Sequence, residues 1–304
     1  FHVFKTLGQG SFATVKLVRK AESKNGELYA LKVISKDALT HPHHIQHVKD
    51  ERDVLRSIPP HPNILRMNES FSDQARLFFT LEYFGGGNLY ELMEHFRRPF
   101  TEKEAKFYGI QIARGLQHLH DHEIIYRDLK PENIVIRENG QIALCDFGFS
   151  KSLKDQDGRT STFCGSPDFM APELIRGNPY DFQIDWWSFG ILIFDFIVFS
   201  PPFNFNPLLI LKANSRTRII PDQGNYSNEV RKLIAGLLQS DPIKRIKGEK
   251  VLNHSWFSKV NTNTSVPPWK PQPRKFSLTL DDTLDIECRG FGSQDDLDDG
   301  FDGF

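Results

Sequence analysis

The sequence predicts an α+β fold in which a small antiparallel sheet precedes a mostly helical part. The first third of the chain carries short β-branched runs separated by glycine turns, a pattern typical of strands. Beyond Gly85-Gly86-Gly87, which we interpret as a flexible joint at a domain boundary, apolar residues recur at helical spacing. A length of 304 residues suffices for about two compact units.

Turn residues divide the sheet-forming part into strands. Residues 3–7 form a short mixed run that leads into Gly8-Gln9-Gly10-Ser11-Phe12, and a β-branched run follows over 13–19. Further strands are predicted over 28–34 and 77–83. No repeat of 20–50 residues is present, so the pattern excludes solenoids and propellers.

Helix signals follow and interrupt these strands. A helix is predicted over 45–58 and ends before Pro59-Pro60. Thr101 and Glu104 have the spacing of a capping box at the start of a second helix. Residues 185–199 are apolar nearly all round, which predicts a buried helix. Asn139-Gly140 between two apolar runs predicts a tight hairpin.

The end of the chain differs from the rest in pattern and charge. After residue 258 the periodicity fails, and four prolines predict an extended strap along the surface. Residues 281–304 hold nine acidic residues and one base, a net charge of −8, against +7 for residues 1–280. The basic residues are scattered rather than clustered, so we do not expect a nucleic-acid partner.

Composition indicates the cellular compartment in which the protein is expected. The longest apolar stretch, 189–199, contains Asp195 and is too short to span a bilayer, so we expect no integral membrane segment. Three cysteines are too few for a disulfide framework, which favours an intracellular, cytoplasmic protein. The chain begins at Phe1, and we expect it to be part of a longer protein whose other domains could direct it to the nucleus or a membrane.

The glycine pair Gly8-x-Gly10 is weak evidence by itself. A dinucleotide-binding fold requires a helix after the glycines, whereas this sequence predicts a strand, which disfavours a dehydrogenase. The alternative is a glycine-rich hairpin whose amides approach phosphates. Lys32, in Tyr-Ala-Leu-Lys after that hairpin, would then point at a phosphate rather than at solvent.

Three further motifs are far more specific. Tyr126-Arg127-Asp128-Leu129-Lys130-Pro131-Glu132-Asn133 is followed by Asp146-Phe147-Gly148 and then by Ala171-Pro172-Glu173. In order and spacing the set resembles eukaryotic protein kinases over about residues 1–258. The tyrosine before Arg127-Asp128, the run Phe149-Ser150-Lys151 and the segment 162–167 resemble the AGC group of serine/threonine kinases.

The resemblance implies a bilobal protein-kinase fold, with a small antiparallel β-sheet lobe and its regulatory helix over a mostly α-helical lobe. Residues 1–83 would form the N-lobe and 84–258 the C-lobe. Residues 259–304 would be an AGC-type C-terminal tail, which we expect to be truncated. The implied protein is a monomeric catalytic domain that uses ATP and Mg²⁺ to phosphorylate serine or threonine in protein substrates.

The same resemblance assigns the catalytic residues. Lys32, paired with Glu51, would hold the α- and β-phosphates, and Asp146 and Asn133 would bind Mg²⁺, which prefers oxygen ligands. Asp128 would accept the proton of the substrate hydroxyl. Lys130 would balance charge on the transferred phosphoryl group.

Other site residues carry over in the same way. The ATP-binding set would be Leu7, Gly8, Gly10, Val15, Ala30, Lys32, Glu51, Leu81, Glu82 and Phe84. Substrate would contact Glu132, Asp195 and Ser166, the two acids selecting arginine upstream of the target. Thr162 would be phosphorylated by an upstream activating kinase, with Arg127, Lys151 and His47 binding the phosphate.

Three architectural contacts also follow from the resemblance. Asp185 would hold the catalytic loop, and Glu173 would pair with Arg245. Leu55, Met67, Tyr126 and Phe147 would stack as a spine.

Some positions depart from the family pattern or leave alternatives open. Ala13 replaces the third loop glycine, and Asn88 stands where many AGC kinases carry a glutamate that contacts ribose and a substrate arginine. A pseudokinase or ATP-binding scaffold is the main alternative function, and a small-molecule kinase is a third. The histidines at 41, 43, 44 and 47 could suggest a metal, but a solvated cluster is favoured.

The last four residues, Phe301-Asp302-Gly303-Phe304, permit three interpretations. They resemble the hydrophobic motif that docks on the small lobe of AGC kinases. They could equally be the aromatic tether that crosses the nucleotide cleft. The third interpretation is a disordered acidic end with scattered aromatic residues.

Overall fold

The computed structural model describes most of the chain, and the chain divides into two units. The described residues are 1–10, 12–21, 26–154, 157–200, 202–203, 206–212, 226–258, 260, 267–271 and 304. The first, which we call the sheet unit, comprises residues 1–57 and 65–83 together with Phe304. The second, the helical unit, comprises residues 58–64 and 84–271.

The sheet unit contains five antiparallel strands in the order β1-β2-β3-β5-β4 and one long helix. Its elements are β1 (His2–Gln9), β2 (Ala13–Arg19), β3 (Leu28–Ser35), a 3-10 turn (Lys36–Ala38), α1 (Pro42–Ser57), β4 (Met67–Ser72) and β5 (Arg76–Glu82). Helix α1 ends before Pro59-Pro60, as predicted. Strand β4 was not predicted, because its sequence MNESFS is mostly polar.

Alternation along the strands gives the sheet two apolar faces. Phe78 and Phe79 are consecutive in β5 and nearly fully buried, at 1% and 0% exposure, on opposite faces. One face packs Val3, Val18, Leu31 and Phe78. The other packs Ile34, Leu39, Val48, Leu77, Phe79 and Phe304.

The helical unit is built around two long helices. Its elements are α2 (Leu89–Phe96), α3 (Glu102–Asp121), β6 (Ile124–Ile125), β7 (Ile134–Ile136), β8 (Ile142–Leu144), β9 (Lys151–Ser152), α4 (Pro172–Ile175), α5 (Gln183–Val198), α6 (Pro207–Lys212), α7 (Asn228–Leu237) and α8 (Glu249–Leu252). Three 3-10 turns lie at Pro131–Asn133, Pro167–Phe169 and Ser255–Phe257. Strand β6 pairs with β9, and β7 pairs with β8 in the hairpin predicted from Asn139-Gly140.

Local signals explain where the long helices begin and why they are buried. The predicted capping box at α3 is present, since the Thr101 side chain accepts from the Glu104 amide and Glu104 accepts from the Thr101 amide. Helix α5 is buried along nearly its whole length, and Trp186, Trp187 and Phe196 are at most 1% exposed. This burial confirms the interpretation of its all-apolar sequence.

The three consecutive glycines at 85–87 are packed against the hairpin β7–β8 and the proline strap. The Gly86 amide donates to the Ile136 carbonyl at 2.9 Å, and the Ile136 amide donates to Gly87 at 2.8 Å. A Cβ on Gly86 would lie 2.5 Å from that carbonyl and 2.6 Å from Cγ of Pro271. Glycine is therefore needed here for close approach, which corrects our interpretation of a flexible joint.

No helix among the described residues has both the length and the apolar character to cross a membrane.

Candidate active site

The sheet unit holds a buried ion pair on its central strand. Lys32 lies in β3 and Glu51 in α1, and the Lys32 Nζ lies 2.6 and 2.9 Å from the two carboxylate oxygens. The Lys32 side chain is 16% exposed and that of Glu51 is 6% exposed. The predicted pair is therefore formed and shielded from solvent, which strengthens each charge-assisted bond.

Strand register places other predicted nucleotide-binding residues beside Lys32. Val15 pairs with Lys32 on one side and with Gly8 on the other. Ala30 pairs with Leu81. Directly opposed residues in antiparallel strands share a face, so these side chains line one surface.

The remaining predicted nucleotide-binding residues lie at a strand bulge, in a turn, at a strand end or in the helical unit. Leu7 lies at a bulge in β1, and Gly10 turns the hairpin by donating to the Ala13 carbonyl at 2.8 Å. Glu82 ends β5. Phe84 belongs to the helical unit, where its ring lies 4.3 Å under the guanidinium of Arg137.

The helical unit gathers three predicted side chains around the carboxylate of Asp128. Asp128 is only 3% exposed. Its Oδ2 lies 2.8 Å from the Lys130 ammonium and accepts from the Asn133 amide at 2.7 Å. Its Oδ1 accepts from the Ser166 hydroxyl at 2.7 Å, and that hydroxyl accepts from Lys130 at 3.0 Å. A buried carboxylate is thus held in one orientation by three donors.

Asn133 and Asp146 have the donor chemistry of a hard-cation site. The Asn133 amide nitrogen donates to both Oδ2 and the carbonyl of Asp128, which directs the amide oxygen, an acceptor, away from these bonds. Asp146 is exposed and has a left-handed φ of 55°. That conformation is uncommon outside glycine and is typical of functional loops. One carboxylate and one amide oxygen fit Mg²⁺ with phosphate and water as its other ligands.

Asp185 at the start of α5 anchors the catalytic loop. Its two oxygens accept from the backbone amides of Tyr126 and Arg127 at 2.9 and 2.8 Å. His120 at the end of α3 adds a third bond, with Nε2 2.8 Å from Oδ2. The anchoring role of Asp185 was predicted, whereas His120 was missed because only the fold brings the end of α3 to this carboxylate.

Two other predicted architectural contacts are present. Arg245 and Glu173 form a bidentate pair at 2.7 and 3.0 Å and are 3% and 4% exposed. Tyr126 and Phe147, two members of the predicted spine, meet edge to face at 5.5 Å.

Arg127 and Lys151 each contact a residue that is itself bonded to Thr162. Lys151 donates to Thr160 at 3.4 Å, and the Thr160 hydroxyl lies 3.5 Å from that of Thr162. Tyr180, which sequence reasoning missed, donates to the Thr162 carbonyl at 2.5 Å and accepts from Arg127 at 3.3 Å. The Thr162 side chain itself is exposed. The remaining predicted phosphate contact, His47, lies on the exposed face of α1 in the sheet unit.

Two acidic side chains lie near one another on the helical unit. Burial, together with the smaller effect of the neighbouring Glu132 charge, raises the pKa of Asp195 to about 6. Glu132 is exposed. The expected third acid is replaced by Asn88, whose side chain caps α2 by accepting from the Glu91 amide at 2.8 Å.

The histidines at 41, 43, 44 and 47 cluster at the start of α1, with neighbouring ring centroids between 4.1 and 6.1 Å apart. Within the described part of the chain, no group of three or more histidine, cysteine, aspartate or glutamate side chains is arranged to hold a metal ion. Phe12, at the tip of the glycine hairpin, packs on His44 at 4.6 Å.

Phe304 occupies an apolar pocket of the sheet unit. Its side chain is 3% exposed and packs against Phe79, with ring centroids 5.3 Å apart. The Arg52 guanidinium lies 5.2 Å from the Phe304 centroid. This position agrees with the hydrophobic-motif interpretation. The rest of that predicted motif, residues 301–303, lies outside the described residues.

Fold, motif geometry and comparison agree on the class of protein. The family model described as "Protein kinase domain" matches residues 1–257. The chain therefore belongs to the protein kinase family, and its sheet and helical units are the two parts of that α+β fold.

Similar individual proteins indicate the group of kinases to which the chain is related. The chain is 37% identical over 281 residues to "Serine/threonine-protein kinase Sgk1" from Gallus gallus and from Mus musculus, covering 89% of this chain and 64% of each relative. It is 36% identical over 280 residues to the Xenopus tropicalis protein of that name, covering 89% and 66%. The chain thus spans slightly less than two thirds of these relatives. They are AGC kinases, which confirms the group indicated by the motifs.

Proposed function

We propose that this chain is an active serine/threonine protein kinase that transfers the γ-phosphoryl group of MgATP to a hydroxyl of a protein substrate. The observation that carries the proposal is the network in which Lys130, Asn133 and Ser166 all bind the buried carboxylate of Asp128. An ATP-binding scaffold would not need that carboxylate to be oriented. The ion pair of Lys32 with Glu51 supports the same proposal from the sheet unit.

The residues divide into those that hold ATP and those that act on the acceptor. Lys32, fixed by Glu51, binds the α- and β-phosphates, and the glycine hairpin offers backbone amides above them. The face of Val15, Ala30 and Leu81 receives the adenine. Asp146 and Asn133 hold Mg²⁺, which when bound neutralises charge on the phosphates.

The acceptor hydroxyl is oriented by Asp128. The hydroxyl oxygen forms a bond to Pγ while the bond from Pγ to the bridging oxygen breaks, and ADP leaves with that electron pair. Asp128 accepts the hydroxyl proton. Lys130 places its positive charge beside Asp128 and the transferred group, and Ser166 keeps both side chains in position through its two hydrogen bonds.

Charge on the helical unit indicates the substrate class. The exposed Glu132 and the partly buried Asp195 offer two neighbouring carboxylates, and two negative charges favour an arginine side chain, which can bind carboxylates in a bidentate manner. The loss of the third acid at Asn88 weakens this preference relative to kinases that have it. We therefore infer arginine-directed substrates with a moderate dependence on that residue.

The surroundings of Thr162 indicate how activity is regulated. A phosphate there would carry a charge of about −2, and the cations Arg127 and Lys151 contact Tyr180 and Thr160, which both bond to Thr162. Because Arg127 directly precedes Asp128, ordering it would also order the catalytic loop. An upstream kinase that modifies Thr162 would thereby raise activity.

Peptide phosphorylation tests the proposed reaction. Wild-type chain with MgATP is expected to phosphorylate a serine peptide with upstream arginine, and Asp128→Asn is expected to lose that activity while remaining folded by circular dichroism. Equal activity of wild type and Asp128→Asn would overturn the mechanism. Absence of activity in wild type phosphorylated at Thr162 would favour the pseudokinase, and phosphorylation of small alcohols but not peptides would favour a small-molecule kinase.

The role of Thr162 has its own test. Treatment with an activating kinase is expected to increase peptide phosphorylation by wild type but not by Thr162→Ala, with Ser161→Ala, at the adjacent exposed position, as the matched control. Full activity of Thr162→Ala relative to phosphorylated wild type would exclude this switch.

A further inference from the structure

We propose that Phe79 is a positioning residue that couples docking of Phe304 directly to the catalytic lysine. This inference rests on the proposed function, because it assigns to Lys32 the role of holding ATP phosphates. It adds a route through strand β5 that does not pass through the helix that carries Glu51.

The route lies on one face of the sheet. Lys32 and Phe79 are directly opposed in the β3–β5 pair, and Ile34 and Leu77 are opposed one step further along the same face. Phe304 packs in the cluster formed by Ile34, Leu77 and Phe79. The tail residue and the lysine therefore occupy the same face, with the ring of Phe79 between them.

The contacts on the two sides of Phe79 differ in chemistry. The Lys32 Nζ lies 5.9 Å from the Phe79 centroid, at the distance of a cation–π interaction. The Phe304 ring meets the same ring at a centroid distance of 5.3 Å and an interplanar angle of 52°. Phe79 is 0% exposed, so neither contact competes with water. Movement of Phe304 would therefore shift the Phe79 ring, which the Lys32 ammonium contacts.

The chain of contacts returns to the ion pair through α1. The Arg52 guanidinium lies 5.2 Å from the Phe304 centroid, and Arg52 follows Glu51, which binds Lys32 at 2.6 Å. Side-chain contacts thus run from Arg52 through Phe304, Phe79 and Lys32 to Glu51, and the backbone of α1 joins Glu51 to Arg52. Docking of Phe304 is therefore expected to act on Lys32 in two ways, through the aromatic contact with Phe79 and through the helix that carries Glu51.

The effect depends on the aromatic ring rather than on apolar volume. A leucine at position 79 would still fill much of the pocket, but it has no quadrupole to attract an ammonium. The neighbouring Phe78 offers a matched control. It is equally buried, at 1% exposed, and it packs on the opposite face with Val3, Val18 and Leu31.

Competitive labelling with acetic anhydride tests the coupling, because it reports the neutral fraction of each lysine without requiring catalysis. Removal of the cation–π contact in Phe79→Leu is expected to raise Lys32 acetylation about two- to fivefold at a fixed pH below its midpoint. Phe78→Leu is expected to leave it within experimental error of wild type. Phe304→Ala should raise Lys32 acetylation as well. In the double variant Phe79→Leu/Phe304→Ala, the fold-increase in Lys32 acetylation should be smaller than the product of the two single fold-increases.

Steady-state kinetics give a second readout. Phe79→Leu is expected to raise KM for MgATP about two- to fivefold. Phe304→Ala should raise this KM by a smaller factor in the Phe79→Leu variant than in wild type. Unchanged Lys32 acetylation in Phe79→Leu, equal effects of Phe78→Leu and Phe79→Leu, or independent effects of Phe79 and Phe304 would each overturn the proposal. A wild-type chain that is labelled as expected but phosphorylates no peptide would contradict the proposed function alone.

Discussion

At the scale of single residues, the buried carboxylate of Asp128 determines what the helical unit can do. Its two oxygens serve different neighbours, since Lys130 and Asn133 contact Oδ2 while Ser166 contacts Oδ1. Ser166 was predicted only as a substrate contact, and the structure shows that it also binds Asp128 and Lys130. The serine therefore belongs to the network that orients Asp128, and its contact with substrate stays a prediction.

Ser166→Ala should lower kcat more than it changes KM. The variant removes a hydrogen bond to a charged group, which contributes about 1.5–3 kcal/mol, or roughly 10- to 100-fold in rate. Steady-state peptide phosphorylation measures both parameters. Ser166→Thr keeps the hydroxyl and should retain most of the activity, whereas equal activity of Ser166→Ala and wild type would remove the serine from the network.

Asp195 should make recognition of arginine depend on pH. Burial raises the pKa of this carboxyl to about 6, so the charged form that attracts arginine dominates above pH 6 and is lost below it. KM for an arginine-containing peptide should therefore rise as pH falls from 7 to 5, while KM for a peptide with alanine at that position should not. Asp195→Asn should abolish the difference, and a persistent pH effect in Asp195→Asn would assign it to another group.

At the scale of elements, the start of α3 shows how a short sequence signal fixes a helix end. The Glu104 backbone amide donates to the Thr101 hydroxyl at 3.3 Å, and the Thr101 backbone amide donates to the Glu104 carboxylate at 2.7 Å. Thr101→Ala should lower the free energy of unfolding by about 1 kcal/mol, the usual contribution of an N-cap side chain. Urea denaturation measures this change. Thr101→Ser keeps the cap and should cost less, and an equal loss for both substitutions would mean that the hydroxyl is not the stabilising group.

The buried pair of Glu173 and Arg245 joins α4 to the loop after α7. Arg245 also donates to the Gln183 carbonyl at 2.7 Å, so it holds the start of α5 as well. Arg245→Met should lower the free energy of unfolding by about 3–5 kcal/mol, because it leaves the Glu173 carboxylate buried without its partner. The double variant Glu173→Met/Arg245→Met removes both charges and should recover part of that loss. A double variant less stable than Arg245→Met would show that the cost arises from packing.

At the scale of the whole molecule, motif spacing predicted the protein family, which the comparison confirms, whereas periodicity predicted only part of the helices and strands. The positions of Asp128, Asn133 and Asp146 followed from their order in the sequence. The helices α3 and α5 were also predictable, since one has a strong cap and the other is apolar all round. Strand β4 was missed because its polar residues hide the alternation.

Contacts made by residues distant in sequence could not be predicted. His120 binds Asp185 across 65 residues of sequence, and Tyr180 reaches Thr162 from beyond α4. Single histidines and tyrosines carry no local signal of such partners, because burial and tertiary packing select them. The glycines at 85–87 show the same limit, since close packing of Gly86 on Pro271 cannot be distinguished from a flexible joint by composition.

The most direct test of the account is calorimetric titration of the chain with MgATP, with Asp128→Asn and Lys32→Met titrated in parallel. The account predicts that wild type and Asp128→Asn bind MgATP with similar affinity, because Asp128 acts on the acceptor hydroxyl, and that Lys32→Met binds it more weakly. Failure of wild type to bind MgATP, or unchanged binding by Lys32→Met, would contradict the assignment of this site as the nucleotide site of a kinase.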